Sequence, residues 1–242
     1  MFEGEAEIME VREETHDVKT FVMETAENIA FVPGQYCMIS RPDNEKFRDE
    51  ARPRPFTFSN IPHEDHVEIT VKKTGGFTGA MHNMKVGDKL RLKGPFGEQL
   101  NFDESVKDDV IFVAGGSGIT PFMSAIRYAA SKELPNRIVL LNSNDTVDDI
   151  IYKDELDALS QNEKITVKNT LSGSVPKGWD GLQGRIDKNM ILAQVEQPAA
   201  KLWYVCGPPP MVQDLNAILL EIGLSEDKIK SEEWQIPAKE PA

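Results

Sequence analysis

Three short segments of this 242-residue chain combine residue types that can do chemistry. The first, Gly115-Gly116-Ser117-Gly118-Ile119-Thr120-Pro121, follows an apolar run ending at Ala114. Glycines let a main chain bend tightly and approach a phosphate without Cβ clashes, and a strand-to-helix turn aims backbone N–H groups at an anion. Thr120 suits an N-cap and Pro121 a first helical residue. The usual dinucleotide fingerprint has glycine in sixth position, where Gly116-x-Gly118-x-x-Pro121 has proline, so the match is incomplete. The second segment, Cys206-Gly207-Pro208-Pro209-Pro210-Met211, closes the run containing Trp203 and Tyr204. It sets a thiol at a strand's carboxyl end, where open parallel sheets bind ligands, although a lone cysteine there is as readily a small buried hydrophobe. The third, Arg54-Pro55-Phe56-Thr57, supplies a cation for phosphate oxygens, a flat ring for stacking and a hydroxyl for a ring nitrogen.

Two kinds of element must position these groups. Up to about residue 100 the chain reads as short alternating strands at Ala6–Val11, Val18–Met23, Gln35–Ser40, Phe56–Ser59, Val67–Lys72 and Lys89–Lys93, the pattern of a small antiparallel barrel. Residues 41–54 are rich in proline and charge and read as a surface excursion. After Gly94-Pro95-Phe96-Gly97, apolar runs at Val110–Ala114, Ile138–Leu141, Ile165–Asn169 and Leu202–Cys206 alternate with amphipathic stretches at Pro121–Ser131, Asp148–Ser160, Lys188–Val195 and Met211–Ile222. That alternation is the signature of an α/β parallel sheet. The expected organisation is two-domain, with a barrel over 1–103 and an α/β nucleotide-binding domain over 104–242.

Bulk properties narrow the function. A net charge of -13 disfavours nucleic acid and anionic membranes as partners. Two cysteines, Cys37 and Cys206, cannot ligate an iron-sulfur cluster or a structural zinc, so a redox cofactor would be organic. His63-Glu64-Asp65-His66 lacks a third ligand in evident reach and reads as a solvated turn, so no metal site is expected. Nothing resembles a membrane span or signal peptide, which makes the cytoplasm the expected address.

In order and along nearly the whole chain, these segments resemble the ferredoxin-NADP reductase superfamily. The resemblance implies an antiparallel Greek-key flavin barrel followed by a nicotinamide-binding α/β domain. Arg54-Pro55-Phe56-Thr57 is similar to the family's Arg-x-Tyr-Ser/Thr motif, with phenylalanine in place of tyrosine. Val71-Lys72 and Gly75-Gly76-Phe77-Thr78 resemble its next flavin contacts, with Gly76, Phe77 and Thr78 as the binding residues. Gly94-Pro95-Phe96-Gly97 resembles its Gly-Pro-aromatic-Gly. Gly115, Gly116, Gly118, Thr120, Pro121, Cys206, Gly207, Pro208 and Met211 match its two nicotinamide motifs. Ile229-Lys230-Ser231-Glu232-Glu233-Trp234 resembles its closing strand, which implies a role for Glu232 in steadying the reduced or charged state and for Trp234 in guarding a flavin face. Thr57, Cys206 and Glu232 are then the expected catalytic residues.

The resemblance implies FAD, with FMN the less frequent choice, and NADH or NADPH as co-substrate. Hydride transfer needs no side-chain nucleophile, only the two rings stacked within about 3.5 Å away from water. After Ile138–Leu141, where a ribose-reading residue is expected, stand Asn142-Ser143-Asn144-Asp145 and no arginine. Asp145 could accept from a ribose hydroxyl and would repel a 2′-phosphate, which favours NADH, although Arg127 and Lys153 are cations that could fold back. The implied acceptor is a carrier such as ferredoxin or an oxygenase component, free flavin, or a small oxidant; the rival expectation is an electron-transfer subunit active only when docked in a larger redox complex. Replacing Arg54 by alanine is expected to lose most bound flavin, read as the visible absorbance per protein after purification.

Overall fold

The structure, a computed structural model, describes residues 1–40 and 52–233. Its first six strands, β1 (Phe2–Thr15), β2 (Val18–Thr25), β3 (Tyr36–Ser40), β4 (Arg54–Thr57), β5 (Val67–Lys72) and β6 (Lys89–Phe96), form one antiparallel sheet in the order β4-β3-β6-β1-β2-β5. A bridge from Phe58 to Ile69 joins the two edge strands and nearly closes the sheet into a Greek-key barrel. Alternation explains which residues go inside on two strands: Ala6 and Ile8 on β1 and Leu90 and Leu92 on β6 are buried between outward-facing neighbours, whereas β2 buries Thr20, Phe21, Val22 and Met23 in succession. Each large apolar side chain buried this way contributes roughly 1.5–3 kcal/mol. A short helix, α1 (Gly76–Met81), adds Phe77 and Met81 to the same core.

The remaining strands, β7 (Val110–Gly115), β8 (Ile138–Asn144), β9 (Ile165–Leu171), β10 (Leu182–Gln183), β11 (Leu202–Gly207) and β12 (Ile229–Glu233), form a parallel sheet ordered β10-β9-β8-β7-β11-β12. Its helices are α2 (Thr120–Ser131), α3 (Lys153–Leu159), α4 (Lys188–Gln194) and α5 (Pro209–Glu221). Every residue of β7 and β11 is buried, which is why those segments are continuously apolar and do not alternate. On one face Phe112 and Tyr204 pack with Phe122 of α2; on the other, Ile111, Val113, Trp203 and Val205 pack with Leu215 and Leu219 of α5. Val18 of the barrel and Leu100 and Phe102 of the connection join the first of these clusters, so the barrel rests on the α2 side of the sheet.

Several local expectations need correction. Thr120 does not cap a helix from outside. It is the first residue of α2, a 3-10 turn over Gly116–Ile119 precedes it, and its hydroxyl donates to the Ser117 carbonyl at 2.8 Å. The helix expected over Asp148–Ser160 splits into a 3-10 turn at Val147–Asp149 and α3 from Lys153. Between them Ile150, Ile151 and Tyr152 are drawn into the core, and Tyr152 takes a left-handed φ of 59° that no helix continues through. The two-residue β10 carries too little pattern to be read from sequence. Most of the excursion expected over 41–54 lies outside the described residues, and Arg54 itself opens β4.

Where β7 and β11 lie side by side, the turn after β7 presses directly on β11. A Cβ on Gly118 would sit 2.3 Å from the Cys206 carbonyl oxygen and 2.9 Å from the Gly207 Cα. Backbone cannot yield as a flexible side chain can, so Gly118→Ala is expected to destabilise the protein by about 1–3 kcal/mol, read as a lower urea midpoint with unchanged slope.

Candidate functional site

The order of the second sheet locates a crevice. From β7 the chain adds strands outward through β8, β9 and β10, then returns to add β11 and β12 on the other side of β7. Strand order therefore reverses between β7 and β11, and the turns leaving their carboxyl ends diverge there, which is where open α/β sheets bind ligands. The two glycine motifs are those turns. They also touch each other: a Cβ on Gly115 would lie 2.6 Å from the Met211 sulfur and 3.0 Å from Pro208, and one on Gly207 would lie 3.3 Å from the Gly115 nitrogen. Gly115, Gly118, Gly207, Pro208 and Met211 thus form one packed floor. Gly116 differs. It has a left-handed φ of 53° and nothing within 4 Å of where a Cβ would stand, so its main chain is open to close approach.

The donor set around this floor fits a dinucleotide. Asn144, at the end of β8, is buried and its side-chain nitrogen has no partner, as has the Asn142 oxygen two residues earlier. Asp145 follows, exposed; Ser172 donates to its carboxylate at 2.8 Å, and the Gly173 N–H donates to its carbonyl at 3.0 Å. Neither candidate cation folds back here. Arg127 is committed to Glu155, Glu68 and the Ser59 carbonyl, and Lys153 pairs with Asp157 at 3.0 Å.

Register places Cys206 between Ala114 on β7 and Glu232 on β12. The thiol is 6% exposed, and burial, then the nearby Glu232 carboxylate, push its pKa far up. It is therefore a neutral, compact wall of the crevice and not a thiolate nucleophile. Burial likewise raises the Glu232 carboxyl above the usual carboxylate range. Trp234, the other expected residue of this strand, lies outside the described residues.

On the barrel, Arg54, Pro55, Phe56 and Thr57 make up β4, paired with β3 so that Thr57 faces Tyr36 and Phe56 faces Cys37. The Phe56 ring stacks on Phe77 with centroids 6.2 Å apart and planes at 19°, which brings the motif beside the Gly75-Gly76 turn. Gly75 has nothing within 4 Å of its Cβ position. That open turn beside a half-buried ring and hydroxyl fits a flat cofactor with a phosphate tail. Four expected contacts serve other ends as well. Phe77 is a core side chain. The Thr78 hydroxyl is occupied within its own turn, accepting from the Thr74 and Gly75 N–H groups at 2.9 and 3.1 Å. Val71 is fully buried, and the Lys72 ammonium pairs with Asp17 at 3.1 Å.

Residues 5–100 match the model of the oxidoreductase FAD-binding domain, and residues 112–217 that of the oxidoreductase NAD-binding domain. The chain is 30% identical to NADH-cytochrome b5 reductase 2 of Mycosarcoma maydis, over 92% of this chain and 70% of that protein. The chain belongs to the ferredoxin-NADP reductase superfamily. As a member it is an NAD(P)H-dependent flavoprotein oxidoreductase with FAD as its flavin. It is also 27% identical to the sulfhydrogenase 2 subunit gamma of Pyrococcus furiosus, over 93% of this chain and 81% of that one. Among solved structures, the ferredoxin reductase in carbazole 1,9a-dioxygenase superposes with a TM-score of 0.83 at 26% identity, over 97% of this chain and 70% of that one. No helix among the described residues is long and apolar enough to cross a membrane.

Among the residues that join the two halves, sequence reading passed over Glu68, Thr70, Tyr152 and Glu155 and weighed Arg127 only as a cation near the nucleotide. A signal existed, since Arg127 is the one charged residue in the otherwise uncharged run of α2. The raised Glu232 carboxyl has a consequence for stability. A folded-state value above the unfolded one makes the native state bind the extra proton between the two, so stability falls as pH rises through that window. Glu232→Gln lacks this penalty. It is expected to match wild type near pH 4 and to unfold about 2 °C higher at pH 8, read by thermal melts across the range.

Proposed function

We propose that this flavoprotein takes hydride from NADH in preference to NADPH and passes the electrons to a carrier protein. The donor preference rests on Asp145. Its carboxylate stands at the end of β8, tied to Ser172 and with neither Arg127 nor Lys153 turned toward it, an arrangement that accepts from a ribose hydroxyl and repels a 2′-phosphate. When bound, nicotinamide and FAD supply two-electron hydride chemistry on one side and stepwise electron release on the other. The chain's own residues bind and orient. Arg54 pairs with phosphate oxygens, Phe56 offers a flat apolar ring, and Thr57 offers a hydroxyl to a ring nitrogen. Gly116 with Gly115 and Gly118 lets main chain meet pyrophosphate, with Thr120 and Pro121 starting the helix behind it. Cys206, Gly207 and Pro208 give a small, uncharged wall that excludes water, Met211 backs it, and Asn144 supplies an unpartnered amide. Glu232 stands beside the thiol in register, its carboxyl pKa raised by burial.

The division into 1–103 and 104–242 is part of this reading, as is a cytoplasmic setting, which suits two unpaired buried thiols. The carrier is a redox protein of the ferredoxin, cytochrome or oxygenase-component kind, with free flavin as a small-molecule substitute. A second reading has its own support: the similarity to a protein named as a hydrogenase subunit runs along most of both chains, which favours an electron-transfer subunit active only when docked. The test follows flavin bleaching without oxygen. NADH is expected to reduce the protein at least tenfold more efficiently than NADPH; equal efficiency overturns the donor assignment. Ferredoxin, free flavin and dichlorophenol-indophenol are then added separately. Turnover with any of them supports the free-standing reductase, and inertness toward all favours the subunit.

A further inference from the structure

The interface between the two halves holds a buried polar strut that no cofactor motif accounts for. Arg127, on α2 two turns past the nucleotide turn, has a side chain only 14% exposed. Its guanidinium donates twice to Glu155 at 2.6 Å, once to the Ser59 carbonyl at 2.7 Å and once to Glu68 at 3.2 Å. Ser59 and Glu68 belong to the barrel, and Glu155 to α3. Arg12 of β1 binds the other oxygen of Glu68 at 2.5 Å. The guanidinium also lies 5.1 Å over the Tyr152 ring. The Tyr152 hydroxyl is hydrogen-bonded to Thr70 of β5, which is 2.7 Å from Thr20 of β2, whose hydroxyl donates to Glu14 at 2.7 Å. Nearby, Ser124 donates to the Asn60 carbonyl at 2.7 Å.

Two features separate this from ordinary surface pairing. A flat, five-donor fork that meets acceptors in both halves fixes orientation as well as distance, which a lone ammonium does not. Tyr152 is also held in a left-handed conformation unfavourable for a bulky residue, and such strain persists only where the surroundings over-determine it. The connected elements are telling: α2 starts from the Gly115–Pro121 turn, and β5 runs into the Gly75-Gly76 turn. A rotation of one half about the other would move the two cofactor turns apart, and effective hydride transfer tolerates little misplacement.

We infer that Arg127 and Tyr152, acting through Glu68, Glu155 and Thr70, are positioning residues that lock the barrel and the α/β half in the relative orientation hydride transfer requires. They set the rate of that step and leave affinity for either cofactor unchanged. The inference rests on the reductase reading above. Tyr152→Phe removes one hydroxyl and keeps the ring, and Arg127→Lys keeps the charge and loses the fork. The FAD-loaded proteins are mixed anaerobically with NADH in a stopped-flow instrument, and limiting rate, half-saturating NADH, FAD content and unfolding temperature are measured. A limiting rate at least fivefold lower in Tyr152→Phe and lower still in Arg127→Lys is expected. Half-saturation should stay within twofold, with full FAD content and a primary isotope effect from deuterated NADH at least as large as in wild type. An unchanged limiting rate, or a loss that merely follows lost FAD or unfolding, overturns the inference. If Arg127→Lys does not fold, Tyr152→Phe decides alone. A wild-type protein that NADH fails to reduce overturns the reductase reading and this inference with it, whereas a normal wild type with normal variants overturns only the inference.

Discussion

The close approach of two strand-to-helix turns at the centre of the parallel sheet governs the rest of this architecture. Gly118 lies against the backbone of Cys206 and Gly207, and Gly115 against Met211 and Pro208. Contact this tight needs β7 and β11 to be neighbours, which in turn needs the chain to reverse its direction of strand addition between them. That reversal opens the crevice, so the same packing that seals the core below also leaves main chain exposed at Gly116 above. Any Cβ at Gly118 would push the turns apart and change the floor on which a dinucleotide rests.

Polarity around this floor is governed by burial. The Cys206 thiol and the Glu232 carboxyl sit side by side in register, and both are held toward their neutral forms by loss of water. Desolvation is the largest cause in both cases, with the Glu232 carboxylate adding to it at the thiol. The charges are placed elsewhere. Arg127, Glu68, Glu155 and Arg12 cluster at the interface, where a half-buried ion network costs desolvation and returns little net stability. The Arg127 fork meets acceptors on both sides of the interface, which ties orientation as well as distance.

Much of the fold was legible because local pattern and final burial agree. Alternation along β1 and β6 marks strands with one wet face, and unbroken apolar runs at β7 and β11 mark strands covered on both sides. The glycine turns were legible too, since backbone approach demands glycine whatever the surroundings. Side-chain destinations were not. Lys72 and Thr78 sit where a flavin contact would be expected, yet Lys72 reaches Asp17 and Thr78 closes its own turn. Tyr152 delays the start of α3 because its ring is drawn into the core, a demand that comes from residues distant in sequence.

The sequence by itself determined the two sheets, their order along the chain and the motifs at their carboxyl edges, because strand period and glycine conformation are properties of short segments. Tertiary structure alone decided that the two glycine turns touch, that Cys206 faces Glu232, and that Arg127 joins the halves and does not read a phosphate. Those outcomes depend on which distant backbone lies within a few ångströms and how much water it removes, and no local pattern encodes either quantity.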